Sequence, residues 1–257
     1  MSNVLAVDRV QFAEDPPDIA FNKAMQQGNE FLKNFPGSKF LIVFDSESGQ
    51  VEIHYDKTSL RNHYVDLFGP GDVPGYLTEV DMEAIEYIVK KIPDSGHIVE
   101  IGSFLGKSAV EWAKNTKKNN KNYKIICIDS FNSQIEILKE LLRTANFDIP
   151  ELNSNLELFR HYTKAYDNIV PLEAFFDVNF QFDLKVDLVF EDSDHTQKTL
   201  SHALPFWWSR IKNGGILAGH DYTTREVKTS VDTFAITNGF TVNVFPGSSI
   251  WYIEKHA

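Results

Sequence analysis

The sequence carries a single cysteine, Cys127, so no intrachain disulfide can form. No apolar run approaches the length needed to cross a bilayer. The opening stretch MSNVLAVDRVQFAEDPPD has neither the basic start nor the long apolar core of a secretion signal. Together these absences predict a soluble, cytoplasmic protein of a reducing compartment, with no membrane partner. Positive charge is also in short supply: Lys and Arg total 25 against 36 Asp and Glu, a net charge of −11. That balance opposes the attraction to phosphate backbones on which nonspecific nucleic-acid binding relies, and it favours a small-molecule partner. Repeats and low-complexity tracts are absent too. What the 257 residues do contain is 42% hydrophobic and 13% aromatic side chains, enough for one full core plus an appendage.

The front of the chain reads as a small α+β accessory unit over residues 1–70. DIAFNKAMQQGNEFLKNF has loosely helical apolar spacing, and FLIVFDSESGQVEIHY reads as two β-rich runs around a polar turn. FGPGDVPGY, dense in Gly and Pro, then marks a boundary near residues 69–75. Residues 71–257 read differently. A helical LTEVDMEAIEYIVKKI precedes the short apolar runs HIVEIG, KIICID, LELFRH, VDLVFED and GGILAGHD, each ending in a polar or glycine-rich turn. Helical segments such as KSAVEWAKN, SQIEILKELLRTA and TLSHALPFWWSRI separate them. Continuous β-branched runs are what strands covered on both faces require, so the spacing predicts an α/β fold with a doubly wound, mostly parallel sheet. GFTVNVFPGSSIWYIEK predicts an antiparallel strand pair closing one edge. In such a sheet the ligand lies outside the carboxyl ends of the strands, where the polar turn residues fall.

The first of those turns is EIGSFLGKS. Gly102 permits a sharp turn at the strand end, Gly106 lets the next helix approach a ligand, and Ser108 supplies a hydroxyl. A dinucleotide site would present glycines as G-x-G-x-x-G; here Ser103 and Phe104 intervene, and Glu100 would repel a pyrophosphate. Asp129 ends the second strand, where a carboxylate can accept hydrogen bonds from both hydroxyls of a ribose. An adenosyl group with a cationic amino-acid tail suits both acids. At these residues the chain resembles the class I S-adenosylmethionine-dependent methyltransferases, whose first motif is E/D-x-G-x-x-x-G and whose second strand ends in an acid.

From Gly75 onward the resemblance narrows to the small-molecule branch containing the macrocin-type O-methyltransferases and cephalosporin-hydroxylase-like proteins. It is carried by GYLT, VEIGSFLGKS, FEDSDHTQK, GGILAGHDY and REVKTSVDTFA. Departures fall at Glu191 and Ser193, where the family has an apolar residue and a glycine, and at Gln197 and Lys198, where it has an aromatic and an acid. The resemblance implies S-adenosylmethionine as cofactor, held by Glu100, Gly102, Ser103, Gly106, Ser108, Asp129, Ser130 and Asp192. It also implies methylation of a small hydroxyl acceptor.

Hydroxyl methylation needs an aligned nucleophile that loses a proton. Asp192, Asp194 and His195 follow the fourth strand, while His220 and Asp221 follow the fifth, so adjacent strand ends direct all five toward one crevice. Two roles stay open for them. Asp192, His220 and Asp221 can hold a divalent metal, magnesium or manganese, that activates the acceptor; or His195 acts as general base, oriented by Asp194, with Asp192 and Asp221 positioning the acceptor. Tyr76 and Tyr222 are the substrate-side aromatic candidates. His161 and His202 read as surface or packing residues, Trp207 and Trp208 as helix residues with at least one in the core, and KNTKKNNKNYK as a solvated loop. Two other functions compete: a catalytically silent member that uses the fold for binding or assembly, and a nicotinamide-dependent oxidoreductase, which the glycine spacing disfavours. The accessory unit suits dimer formation or cover of the acceptor pocket, and the sequence does not choose between them.

Overall fold

A computed structural model describes residues 4–8, 17–34, 40–45, 50–56, 72–133, 135–144, 147, 149 and 151–256. The chain divides into two compact units: Met1–Leu67 with Lys139–Asp148, and Phe68–Leu138 with Ile149–Ala257. The first unit holds strand β1 (Val4–Asp8), helix α1 (Pro17–Asn34), β2 (Phe40–Asp45) and β3 (Gln50–Asp56). The β2–β3 hairpin is antiparallel, with Phe40 opposite Tyr55, and β1 adds to the other side of β3. The sequence reading gave the helix and the hairpin but not β1. Residues 69–71 of the Gly/Pro-rich boundary at 69–75 lie outside the described residues, which resume at Asp72.

The second unit is built on a sheet of seven strands: β4 (Ser95–Ile101), β5 (Asn122–Asp129), β6 (Ile169–Glu173), β7 (Val186–Glu191), β8 (Ile211–Gly219), β9 (Asn243–Val244) and β10 (Trp251–Glu254). Its order is β6-β5-β4-β7-β8-β10-β9. Neighbours among β4 to β8 are parallel, and β10 is antiparallel to both β8 and β9. From β4 the chain winds outward through β5 and β6, then returns to place β7 on the other side of β4. The strand order therefore reverses between β4 and β7, and a crevice opens above their carboxyl ends.

Among the described residues, helices α2 (Glu79–Lys91), α3 (Lys107–Lys118), α4 (Ile135–Thr144), α5 (Asn155–Thr163), α6 (Gln197–Trp208) and α7 (Arg225–Asn238) complete the elements. α2 starts in a capping box: Thr78 Oγ1 accepts from Asp81 N, and Asp81 accepts from Thr78 N. Its Ala84, Ile85, Ile88 and Val89 form one buried stripe. That stripe joins Trp112 of α3 and Phe159 of α5 over Ile98, Ile125 and Phe190 of the sheet. On the opposite face Leu200, Leu204 and Trp207 of α6 and Val231 of α7 cover Val99, Ile128, Val189 and Leu217.

One strand expectation needs correcting. LELFRH is not a strand but the middle of α5. Ser154 caps that helix by accepting from Glu157 N, and the residues it buries, Asn155, Leu158, Phe159 and Thr163, follow a helical period. The third parallel strand is β6, at an edge of the sheet, where Pro171 is tolerated.

Candidate active site

The β4–α3 turn is shaped by close approach. Gly102 has φ +83°, donates its N–H to Ile128 O at 2.9 Å, and leaves so little room that a Cβ would lie 2.1 Å from the Asp192 carbonyl oxygen. Gly106 has φ +90° and faces Thr163 and Phe159 in the same way. Between them Phe104 takes φ +46°, a left-handed conformation fixed by donation of its N–H to Asp129 Oδ2 at 2.9 Å. Phe131, also at φ +46°, donates its N–H to Asp129 Oδ1 at 2.8 Å. Each carboxylate oxygen of Asp129 thus accepts one backbone bond and retains a lone pair for a ligand hydroxyl. Ser130 Oγ donates to Asn132 Oδ1 at 2.8 Å.

Glu100 lies beneath this turn rather than open to the crevice. It has no exposed surface, and neither carboxylate oxygen has a hydrogen-bond partner. Burial pushes its pKa up to about 8; the charges of Asp192 and Asp129 add to the rise, and Ser103 and Ser108 oppose it. Ser103 is buried as well, with an unpartnered Oγ, and Ser108 is buried beside the start of α3.

The ends of β7 and β8 bring acids and imidazoles together. His195 Nε2 lies 2.8 Å from Asp221 Oδ2, with the His195 side chain about half exposed. This contact raises the His195 pKa above its ordinary value. The same contact, with His220, holds Asp221 well below the usual carboxylate range. Asp192, beside them, is pushed up to about 7 by burial, partly offset by His220. His220 is only 7% exposed. Burial works against its charged form, but Asp221, Asp81 and Asp192 outweigh burial and hold its pKa up at about 10. Glu191 is buried, accepts a hydrogen bond from Ser193 Oγ, and keeps an unpartnered Oε2.

Several expectations change with this geometry. The carboxylate that orients His195 is Asp221, not Asp194, whose oxygens accept from Thr196 N at 2.7 Å and Thr199 Oγ1 at 2.9 Å at the start of α6. Among the described residues, the set whose ligand atoms lie within 4.8 Å of one another is Asp192, His195 and Asp221. His220, expected among the ligands, instead sits between Asp81 and Asp221, its Nε2 3.4 Å from Asp81 Oδ2 and its Nδ1 3.4 Å from Asp221 Oδ2. Tyr76 is 52% exposed and stacks on Phe104, ring centroids 5.9 Å apart, so it stands over the first turn. Tyr222 is turned to α7 instead, donating to Asp232 Oδ1 at 2.5 Å and accepting from Lys228 Nζ at 3.0 Å.

Asp81 was missed in the sequence, although the pattern Thr78-x-x-Asp81 signals a capping box. A cleft of about 660 Å³ beside His195 is lined by Asp194, Thr196, Gln197, Arg225 and Glu226 as well. Arg225 and Glu226 open REVKTSVDTFA, a stretch read for its family resemblance and not as part of the site.

Comparison with known proteins agrees with this architecture. The family described as Methyltransferase domain matches residues 99–222. Among solved structures, the O-methyltransferase NovP is similar over 71% of this chain and 82% of its own, at 16% identity and a TM-score of 0.52. The S-adenosylhomocysteine-bound methyltransferase PaMTH1 from Podospora anserina is similar over 92% of this chain and 96% of its own, at 13% identity and a TM-score of 0.47. An rRNA methylase from Streptococcus thermophilus is similar over 68% and 95%, at 13% identity and a TM-score of 0.45. No curated protein matches the sequence. At these identities the likeness to NovP establishes a shared fold, and the family match covers both turns of the crevice. Residues 99–222 accordingly match a methyltransferase domain, on a fold of the kind seen in NovP.

Proposed function

We propose that this chain methylates a hydroxyl of a small-molecule acceptor, with His195 as general base. The observation that carries the reading is the His195–Asp221 pair, 2.8 Å apart at the mouth of the crevice. A carboxylate on Nε2 fixes the tautomer that bears its proton there and leaves Nδ1 to take a proton from the acceptor. The net charge of −11 favours a small acceptor over RNA.

The residues at the first turn suit S-adenosylmethionine. Gly102 and Gly106 keep the backbone clear of side chains, Asp129 offers lone pairs to ribose hydroxyls, and the unpartnered Glu100 and Ser103 lie under the cationic tail's expected place. Ser108, Ser130 and Asp192 complete the set. When bound, S-adenosylmethionine would supply an electrophilic methyl carbon, to which the acceptor oxygen would bond in line as the C–S bond breaks, with neutral S-adenosylhomocysteine as the leaving group. His195 Nδ1 accepts the hydroxyl proton, Asp221 stabilises the resulting imidazolium, and Tyr76 with Phe104 shields the turn from water.

A second reading rests on the clustering of Asp192, His195 and Asp221. Two carboxylates and one imidazole suit manganese or magnesium, and an ion held there would lower the pKa of the acceptor hydroxyl. His220 does not fit as a ligand, because both its nitrogens already face carboxylates. The experiment is methyl transfer from S-adenosylmethionine to a phenol or sugar surrogate, for the wild type and His195→Ala, with and without chelator. General-base loss is expected to lower turnover by about 10² to 10⁴, with chelator having no effect on the wild type. Full activity of His195→Ala would remove the base, and loss of wild-type activity on chelation, restored by manganese, would select the metal reading.

A further inference from the structure

We infer that Asp81 is a positioning residue for methyl transfer, holding His220 and through it Asp221 and His195. The inference rests on the general-base reading of His195. Asp81 lies outside the matched residues 99–222, at the start of α2, and is 2% exposed. Its Oδ2 accepts from Thr78 N at 2.9 Å and Thr78 Oγ1 at 2.7 Å; its Oδ1 accepts from Ser248 Oγ at 2.5 Å and Ser249 N at 3.3 Å. Capping and the lock on the β9–β10 turn account for those four bonds. They do not account for His220, whose Nε2 lies 3.4 Å from Asp81 Oδ2 on a ring only 7% exposed.

The other nitrogen of that ring faces Asp221 Oδ2 at 3.4 Å and Asp192 Oδ1 at 3.8 Å. Asp221 Oδ2 is the same oxygen that contacts His195 Nε2 at 2.8 Å. Acid and imidazole therefore alternate, Asp81–His220–Asp221–His195, from a buried helix start to a half-exposed base. Asp221 itself has φ +57°, in the left-handed region where aspartate is among the more frequent non-glycine residues. His220 Nε2 makes no hydrogen bond at that distance, so Asp81 holds the ring by charge; without that carboxylate the ring keeps only the acids on its Nδ1 side, and the seat of Asp221 beside it shifts.

The test uses the full-length protein. Asp81→Asn, Asp81→Glu, Ser248→Ala and Asp221→Asn are compared with the wild type. The first readout is the rate of His195 carbethoxylation by diethyl pyrocarbonate, located by mass spectrometry, with exposed His256 as internal control. The expected result for Asp81→Asn is a change of about threefold or more at His195 in the direction set by Asp221→Asn, with His256 unchanged. Ser248→Ala, which removes the donor on Asp81 Oδ1 but leaves Oδ2 facing His220, leaves His195 at its wild-type rate. The second readout is methylation of catechol as a phenolic probe. Asp81→Asn is expected to lower kcat by about 10- to 100-fold, the cost of a misplaced group, with KM and S-adenosylhomocysteine affinity within about twofold and part of the rate restored in Asp81→Glu.

Added to His195→Ala, Asp81→Asn causes no further loss, since it acts only through that base. Unchanged His195 reactivity in Asp81→Asn overturns the inference whether or not catechol is methylated, and so does an additive loss in the double variant. A fully active His195→Ala removes the general-base reading itself, whereas an inactive His195→Ala beside an unaffected Asp81→Asn removes only the role of Asp81.

Discussion

Glu100 shows how one side chain can set a pH dependence for the whole chain. With no exposed surface and no partner for either oxygen, its carboxyl titrates near 8 in the folded state against an ordinary value of 4.5. A group raised in this way contributes its stability fully below the unfolded value and loses it as pH rises through the folded one. Unliganded protein should therefore become less stable between pH 4.5 and about 8. Glu100→Gln should match the wild type at low pH and gain about 1 to 3 kcal/mol at high pH, the usual cost of a buried unsatisfied group. Denaturant melts at several pH values measure it; equal midpoints at high pH would contradict the burial argument. Asp129 is the complementary case, since its remaining lone pairs face the crevice. Asp129→Ala should weaken S-adenosylhomocysteine binding by about 1.5 to 3 kcal/mol, the range for hydrogen bonds to a charged group. His195 must be neutral to accept a proton, and Asp221 raises its pKa. Turnover should then climb with pH through a midpoint above 6.5, and Asp221→Asn should return that midpoint toward 6.5 while lowering the plateau. A midpoint that does not move in Asp221→Asn would detach the acid from the base.

At the scale of elements, the strands ending in the crevice were legible because both their faces are buried and their residues are continuous in β-branched side chains. EIGSFLG and KIICID announced β4 and β5 by residue type, and the chemistry at their ends followed from the turn. β6 was not legible: IVPLE is short, carries Pro171 and lies at an edge where the sheet demands little of it, so the more apolar LELFRH drew the strand reading although it forms a helix. Pairings between distant segments were equally hidden. Nothing in the local sequence says that Asp81 of α2 meets Ser248 of the β9–β10 turn, or that His195 pairs with Asp221 rather than with its neighbour Asp194. These depend on the order of strands. Gly102 states the same dependence as a prediction: at φ +83°, with the Asp192 carbonyl 2.1 Å from the place of a Cβ, Gly102→Ala must displace the β7 turn. Destabilisation of about 2 kcal/mol or more is expected, together with loss of cofactor binding. A variant that melts and binds like the wild type would show that the two turns are not packed against each other.

At the scale of the whole molecule, the segment Lys139–Asp148, which begins within α4, groups with the N-terminal unit rather than with the sheet that surrounds it in sequence. A chain beginning at Val73 would keep every residue of the two turns but leave that segment without the rest of its unit. It should bind S-adenosylhomocysteine with near wild-type affinity while being cleaved rapidly by protease within 139–148. The net charge of −11 bears on the proposed acceptor, and the sheet's reversal between β4 and β7 bears on the cofactor, which is the central claim. Isothermal titration calorimetry of the full chain with S-adenosylhomocysteine, and separately with NAD, tests that claim most directly. Saturable binding of one S-adenosylhomocysteine per chain and no heat with NAD is the expected result; folded protein that takes up NAD, or gives no heat with S-adenosylhomocysteine, would contradict it.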